Sequence, residues 1–265
     1  MKSDVREYWE QASCGEALYL DDRDADAYSR QASARYELEP FIRGFAGFES
    51  AKNKDVLEIG VGLGADHECF ARSGARLRGI DLTDRAIWHT SRRLGFAGLE
   101  SELSVADAEN LPFEDSSFDL VYSWGVLHHS PDTEKAVSEV LRVLRPGGLG
   151  KVMIYHKYSM VGYMLWARYA LASGKPWTSL SRIYSDHLES PGTKAYSIDE
   201  ARRLFRGFTS VSIETVLTHG DLLSSGAGQR HAGRLLDLAR RLWPRGLIRT
   251  FLPDHGLFML ITAVK

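Results

Sequence analysis

Between residues 55 and 155, short apolar runs alternate with stretches whose apolar residues recur three or four positions apart. The run Asp55-Val56-Leu57-Glu58-Ile59-Gly60 is short, almost continuous and stopped by glycine, the pattern of a strand buried on both faces. Residues 65–73 fit one helical stretch with Gly74 at its C′ position. Residues 76–80 predict a second strand, ended by Asp81. Thr83 or Asp84 can cap the next helix, which should run to about Leu94, ahead of Gly95. Leu103-Ser104-Val105 reads as a short third strand and residues 118–123 as a fourth. Residues 133–144 keep helical spacing through Ala136, Val137, Val140, Leu141 and Leu144, and Pro146-Gly147-Gly148 ends that helix before a fifth strand at 149–155.

Strands and helices in this rhythm predict a mainly parallel sheet covered on both faces. After Tyr155 the rhythm breaks. Ser197 is placed to cap a helix over 198–205, with Glu200 in the capping-box position. Residues 210–217 and 257–264 read as two last strands forming an antiparallel edge. Two insertions, 156–196 and 218–255, are then too long for simple connections and are expected to be lids or binding elements. Residues 1–50 form a third candidate cover ahead of a main domain at 51–265.

Composition narrows the class. A chain of 265 residues with 44% hydrophobic and 26% charged residues is globular, not disordered, collagen-like or coiled-coil. A net charge of −2 argues against nucleic-acid binding through a global field. Cys14 and Cys69 supply neither a disulfide framework nor a zinc motif. No apolar run reaches membrane-spanning length and residues 1–7 lack a signal-peptide core, so the expected address is cytoplasmic. Residues 229–252 carry six arginines against one acid, Asp237. A lid or solvated helix is the simpler reading there, and peripheral membrane contact through 230–252 the other.

In an open parallel sheet, ligands bind beyond the carboxyl ends of the strands. The first strand runs into Glu58-Ile59-Gly60-Val61-Gly62-Leu63-Gly64, where glycines permit a tight turn and close approach of a ligand. The loop lacks the Lys-Ser/Thr of a phosphate loop, and Glu58 suits a ligand of cationic character. Asp81 ends the second strand about twenty residues on, where a carboxylate can accept both hydroxyls of a ribose or else cap the following helix. Asp107-Ala108-Glu109 follows the third strand; Asp107 can accept from an adenine amino group or make an Asx turn. The fourth strand ends at Ser123-Trp124-Gly125, followed by Val126-Leu127-His128-His129.

This set resembles the class I S-adenosylmethionine-dependent methyltransferases, nearest their small-molecule (UbiE-like) branch. Residues 56–64 are similar to the family's first motif, and Gly79-Ile80-Asp81 to its ribose acid. Residues 106–113 with Ser117-Phe118-Asp119 are similar to its adenine region, and Leu144-Arg145-Pro146-Gly147-Gly148 to the turn before its fifth strand. The resemblance covers roughly residues 54–155. It implies an α/β, Rossmann-like, doubly wound, mixed seven-stranded sheet, with the N-terminal helical cover and the two lid insertions outside it. It also implies S-adenosyl-L-methionine as cofactor, held by Glu58, the backbone of Gly60, Gly62 and Gly64, Asp81 on the ribose, Leu82 on the adenine ring, and Asp107 with Ala108 on the adenine edge. Ser123 and Trp124 would line the methionine end.

The expected activity is methyl transfer to a small molecule, and an apolar lid containing Trp166, Trp177 and Tyr184 would suit an aromatic or lipid-like acceptor. His128 and Tyr155 are the candidate catalytic residues, with His128 facing the methyl group and His129 packing outward. No metal is expected: adjacent histidines cannot both face one ion from a regular element, and no third ligand sits at helical or finger spacing. The early aromatics Tyr8, Trp9, Tyr19, Tyr28 and Tyr36 form either a lid or ordinary helix packing. Two other functions share these motifs. One is a catalytically silent S-adenosyl-binding partner protein. The other is a nicotinamide-dependent oxidoreductase, disfavoured because Gly60, Gly62 and Gly64 give G-x-G-x-G in place of G-x-G-x-x-G.

Overall fold

The computed structural model describes residues 2–16, 20, 22–225 and 240–265. Strands β1 (Asp55–Ile59), β2 (Arg76–Asp81), β3 (Glu102–Val105), β4 (Phe118–Trp124), β5 (Leu144–Tyr155), β6 (Ser210–Val216) and β7 (Phe258–Val264) form one sheet in the order β3-β2-β1-β4-β5-β7-β6. β1 to β5 run parallel, and β7 is antiparallel to both β5 and β6. The strand order reverses between β1 and β4, the place where such sheets open a crevice. Ile59 stands in register with Ile80 on one side and Ser123 on the other, so Gly60, Asp81 and Trp124 emerge along one edge.

Alternation along β1 explains how both faces are covered. Leu57 and Ile59 pack with Val121 against α6 (Thr133–Val143) and α9 (Ile198–Leu204). Val56 packs with Leu120 and Tyr122 against α2 (Ala25–Leu38), α3 (Phe41–Ala46) and α4 (Ala65–Arg72). Leu57 and Ile59 are essentially inaccessible, each contributing about 1.5–3 kcal/mol by burial. The predicted capping box of α9 is present: Ser197 Oγ accepts from the Glu200 amide, and the Glu200 carboxylate accepts from the Ser197 amide.

Two boundaries differ from the sequence pattern. Helix α5 (Asp84–Ala97) runs through Gly95 and ends at Gly98, which takes the left-handed conformation (φ 65°) that closes the last turn. Strand β5 starts at Leu144, not after the glycines. Leu144 pairs with Phe118 and Leu149 with Leu120, so Arg145-Pro146-Gly147-Gly148 form a bulge inside the strand. Gly147 (φ 77°) donates to the Lys265 carbonyl, which holds that bulge against the end of the chain.

Helix α1 (Lys2–Gln11) crosses the carboxyl edge of the sheet. Glu10 accepts from the amides of Asp84 and Arg85 at the N-terminus of α5, where a carboxylate is favoured. In the first insertion, α7 (Met160–Trp166) continues into one wide turn, Ala167–Leu171, and is followed by α8 (Leu180–His187). In the second insertion Asp221 accepts from the amides of Val161, Thr218 and Leu257, tying its start to β7 and α7. Helix α10 (Arg245–Phe251) buries Ile248 and exposes Leu247 and Phe251. Tyr19 and residues 226–239, including part of the basic 230–252 stretch, lie outside the described residues.

Candidate functional site: a cavity at the switch point

Gly60, Gly62 and Gly64 all have positive φ, so the loop after β1 curls over the strand ends. Two of them show unlike surroundings. A Cβ on Gly60 would lie 2.1 Å from Val126 Cγ2, pinning that side of the loop against the segment after β4. A Cβ on Gly62 would meet nothing within 4 Å and would project into open space. That space is a cavity of about 730 Å³ beyond the ends of β1, β2 and β4, roofed by α1.

Three carboxyl groups on its rim are already held. Asp81 Oδ1 accepts from the amide and hydroxyl of Thr83, and Oδ2 accepts from the Gly62 amide at 3.2 Å. Burial raises its pKa against these hydrogen bonds. A carboxylate offers about four lone-pair sites, so Oδ2 keeps room for a ligand hydroxyl. Asp107 makes the Asx turn to the Glu109 amide and also accepts from Lys2 Nζ at 2.6 Å. Lys2 bridges to Glu109 at the same distance.

Glu58 is not the free carboxylate the loop suggested. It is buried against His67, with Oε2 2.9 Å from Nδ1. Ser101 Oγ donates to the Leu77 carbonyl and so accepts from His67 Nε2. The proton between Glu58 and Nδ1 is therefore shared within the pair, which is neutral as a whole. Burial places that proton on Glu58, raising its carboxyl and lowering His67 to about 3.

A second polar cluster comes from the N-terminal helices. Arg35 Nη2 donates to Asp66 Oδ2 at 2.7 Å; Tyr36 and Tyr122 hydroxyls donate to the same carboxylate at 2.8 and 2.9 Å. Burial opposes the charge on Asp66, but Arg35 and the two hydroxyls hold its carboxyl below the usual range. Arg35 also lies over the Trp124 ring and 3.7 Å from Glu39. Burial lifts Glu39 to about 7 despite Arg35.

Residues 57–150 match the family described as a methyltransferase domain. Norajmaline N-methyltransferase of Rauvolfia serpentina is 32% identical over 53% of this chain and 50% of its own length. Sterol 4-C-methyltransferase strm-1 of Caenorhabditis elegans is 32% identical over 40% of this chain and 32% of its own. The chain spans between about a quarter and a half of the length of the curated relatives it matches. Among solved structures, the phosphoethanolamine N-methyltransferase 2 of Haemonchus contortus, in complex with S-adenosylhomocysteine, superposes with a TM-score of 0.61 at 16% identity, over 98% of this chain and 60% of that one. Residues 57–150 therefore match a methyltransferase domain, and the chain shares the fold of solved S-adenosylmethionine-dependent methyltransferases.

In this chain, Glu58, Gly60, Gly62, Gly64, Asp81 and Leu82 line one stretch of cavity wall, with Asp107 and Ala108 beside them. Trp124 and Tyr155 line the opposite end with Trp9 and Phe258. Ser123 does not line the cavity. It is fully buried and donates to the Ile59 carbonyl, because its side chain points back into the sheet while Trp124 alternates outward. The histidine assignment is reversed. His129 stands on the cavity wall, in edge contact with Trp9, and His128 is packed behind it against Tyr155. The cause is the short 3₁₀ turn at Leu127–His129, where neighbouring residues point about a third of a turn apart instead of to opposite faces.

The lid assignment changes too. Tyr184 is core, its hydroxyl donating to the His156 carbonyl; Trp166 donates to the Thr178 carbonyl; Trp177 faces solvent. The first insertion instead contributes Glu189, in the turn after α8, whose Oε2 accepts from the Tyr155 hydroxyl at 2.8 Å. Sequence reasoning missed Lys2, Arg35, Glu39, His67 and Glu189. Each sits outside the motif block or inside a helix, and the only available signal was the aromatic density around them.

No helix among the described residues is long and apolar enough to cross a membrane.

Proposed function

We propose that the chain transfers the methyl group of S-adenosylmethionine to a small-molecule acceptor with an aromatic or lipid-like body. The observation that carries this reading is one continuous cavity with two unlike ends: a hydrogen-bonding rim at Gly60, Gly62 and Asp81, and an aromatic chamber of Trp9, Trp124, Tyr155 and Phe258. The rim fits the cofactor part by part. The open side of Gly62 leaves a cradle that any Cβ would fill. Asp81 would take the ribose hydroxyls, and Leu82 and Ala108 would flank the adenine. Asp107 would accept the adenine amino group by sharing its carboxylate with Lys2. Arg35, the cation nearest the Trp124 end, would meet the methionine carboxylate. Bound there, the cofactor supplies an electrophilic methyl carbon and leaves as neutral S-adenosylhomocysteine.

The protein's part is alignment and exclusion of water. Holding acceptor and methyl in line can supply several kcal/mol without a strong base. The aromatic chamber would position the acceptor's body. His129 and Tyr155 would line the acceptor's side of the chamber, with the Tyr155 hydroxyl orienting Glu189. A lipid-like acceptor would also give a role to α10: Leu247 and Phe251 project outward beside Arg249, as a segment resting on a membrane surface would.

Calorimetry with S-adenosylmethionine, S-adenosylhomocysteine and NADH tests the reading. The first two should bind and NADH should not, and Asp81→Ala should weaken binding by about 1–3 kcal/mol. Binding without turnover of any offered acceptor would favour the silent partner protein; NADH binding would favour the oxidoreductase.

A further inference from the structure

Behind and beside the aromatic chamber, three side chains with metal-ligating atoms converge. His128, His129 and Glu189 each bring one ligand-type atom into a group whose members all lie within 4.8 Å of one another. Two hydroxyl groups meet His129 at Nδ1. Thr193 Oγ1 donates to the Ser190 carbonyl at 2.7 Å, so toward His129 Nδ1, 3.2 Å away, it can only accept. Ser190 Oγ lies 2.9 Å from the same nitrogen. With the ring proton on Nδ1, shared with Thr193, Nε2 of the neutral ring presents a lone pair. Nε2 has no hydrogen-bond partner among the described residues and faces Glu189 Oε2 at 3.3 Å. That oxygen is itself an acceptor, from Tyr155.

His128 makes the case stronger. It is completely buried, its ring 4.3 Å from that of His129, and neither of its nitrogens has a hydrogen-bond partner among the described residues. Buried polar atoms are nearly always satisfied, so this one calls for a missing partner. A proton on His129 would leave His128 as it is; a single cation answers both histidines.

We propose that His128, His129 and Glu189 form a site for a divalent late first-row metal ion of the zinc type. Two imidazoles and a carboxylate are the donor set such ions take, and ligand atoms about 2.0–2.1 Å from a tetrahedral ion lie about 3.3 Å apart, the separation already held between His129 and Glu189. His128 brings its ligand atom within 4.8 Å of both. Around the ligands, Ser190 and Thr193 hold Nδ1 of His129 and the Tyr155 hydroxyl holds the carboxylate, the supporting contacts that metal-ligating groups ordinarily have. His129 and Glu189 both border the cavity, so the open coordination position faces the chamber. On the methyl-transfer reading given above, that position selects an acceptor with a hydroxyl or carboxylate oxygen next to the methylated atom. The metal site itself does not depend on that reading.

The test is titration of the chelator-stripped full-length protein with Co²⁺, followed by visible absorption, with Zn²⁺ as competitor. The expected result is one equivalent of Co²⁺ giving d–d bands that Zn²⁺ abolishes. Affinity should fall at least about tenfold in His129→Ala and in Glu189→Gln, and about tenfold in Ser190→Ala, which removes only a supporting contact. His187→Ala, outside the cluster, should bind like the parent. Cooperative thermal unfolding of each variant shows that it folds. Absence of the bands in the parent protein, or bands that survive both His129→Ala and Glu189→Gln, would overturn the site. S-adenosylhomocysteine calorimetry on the same sample separates the two readings: binding without Co²⁺ bands removes the metal alone, and Co²⁺ bands without binding remove the cofactor assignment alone.

Discussion

At the strand-end rim of the cavity Asp81, Asp107 and Glu58 all have partners: Asp81 holds Thr83 and the Gly62 amide, Asp107 holds Lys2 and the Glu109 amide, and Glu58 shares a proton with His67. At the aromatic end, Glu39 Oε2, His129 Nε2 and both nitrogens of His128 have no hydrogen-bond partner among the described residues. The rim is preorganised by its own backbone. The aromatic end keeps buried polar atoms unanswered, which lowers stability and leaves that end receptive to a ligand.

Breaking the support shared by both ends should have the largest effect. Asp66→Ala removes the carboxylate that answers Arg35, Tyr36 and Tyr122 together, and should destabilise the fold by about 3–5 kcal/mol in urea unfolding. A loss under about 1 kcal/mol would mean that Glu39 takes over the pairing.

The two loop glycines sharpen the contrast within the rim. Gly60→Ala combines a left-handed backbone with a collision against Val126 and should cost about 2–4 kcal/mol of stability. Gly62→Ala carries only the backbone strain, about 1–2 kcal/mol, yet should lose S-adenosylhomocysteine binding, because its methyl group enters the cavity. Equal stabilities for the two variants would remove the distinction between a pinned and an open side of the loop.

The aromatic end predicts a pH signature through Glu39. Its carboxyl titrates at about 7 in the folded protein against 4.5 as a free group, so between these values the unfolded chain holds fewer protons than the folded one. The stability associated with Glu39 is therefore intact below about pH 4.5 and lost as the pH rises to about 7. Glu39→Gln should be more stable than the parent at pH 8, by up to about 3 kcal/mol, with the two converging near pH 4. Parallel stability curves would show that Arg35 fully compensates the buried carboxylate.

The smallest effect concerns the α1 roof. Lys2 is partly exposed where it bridges Asp107 and Glu109, so Lys2→Ala should change stability by no more than about 0.5 kcal/mol. It should still change the affinity for S-adenosylhomocysteine, because it releases Asp107. An unchanged affinity would place the adenine away from Asp107.

Much of the sheet was legible because parallel strands are short apolar runs with glycine or acid at their ends, and β1, β2 and β4 met that pattern within a residue or two. Boundaries failed where a glycine served another purpose. Gly95 looked like a helix end but sits inside α5, and Gly147 looked like a loop but forms a bulge held by Lys265. At the site, Gly60, Gly62 and Asp81 were legible because local chain geometry alone puts them at the strand ends. Glu58 was legible by position but not by charge, since its neutral state depends on His67 and Ser101.

By itself the sequence determined the alternation of strands and helices, the curled glycine loop and the acids at the ends of β2 and β3, because each follows from backbone propensity and spacing within a few residues. Only the tertiary structure decided which histidine faces the cavity, which aromatic rings line it and that Glu189 arrives beside His129. Those outcomes depend on the rotation of one 3₁₀ turn and on the packing of helices far apart in the chain, and neither leaves a periodic trace in the order of residues.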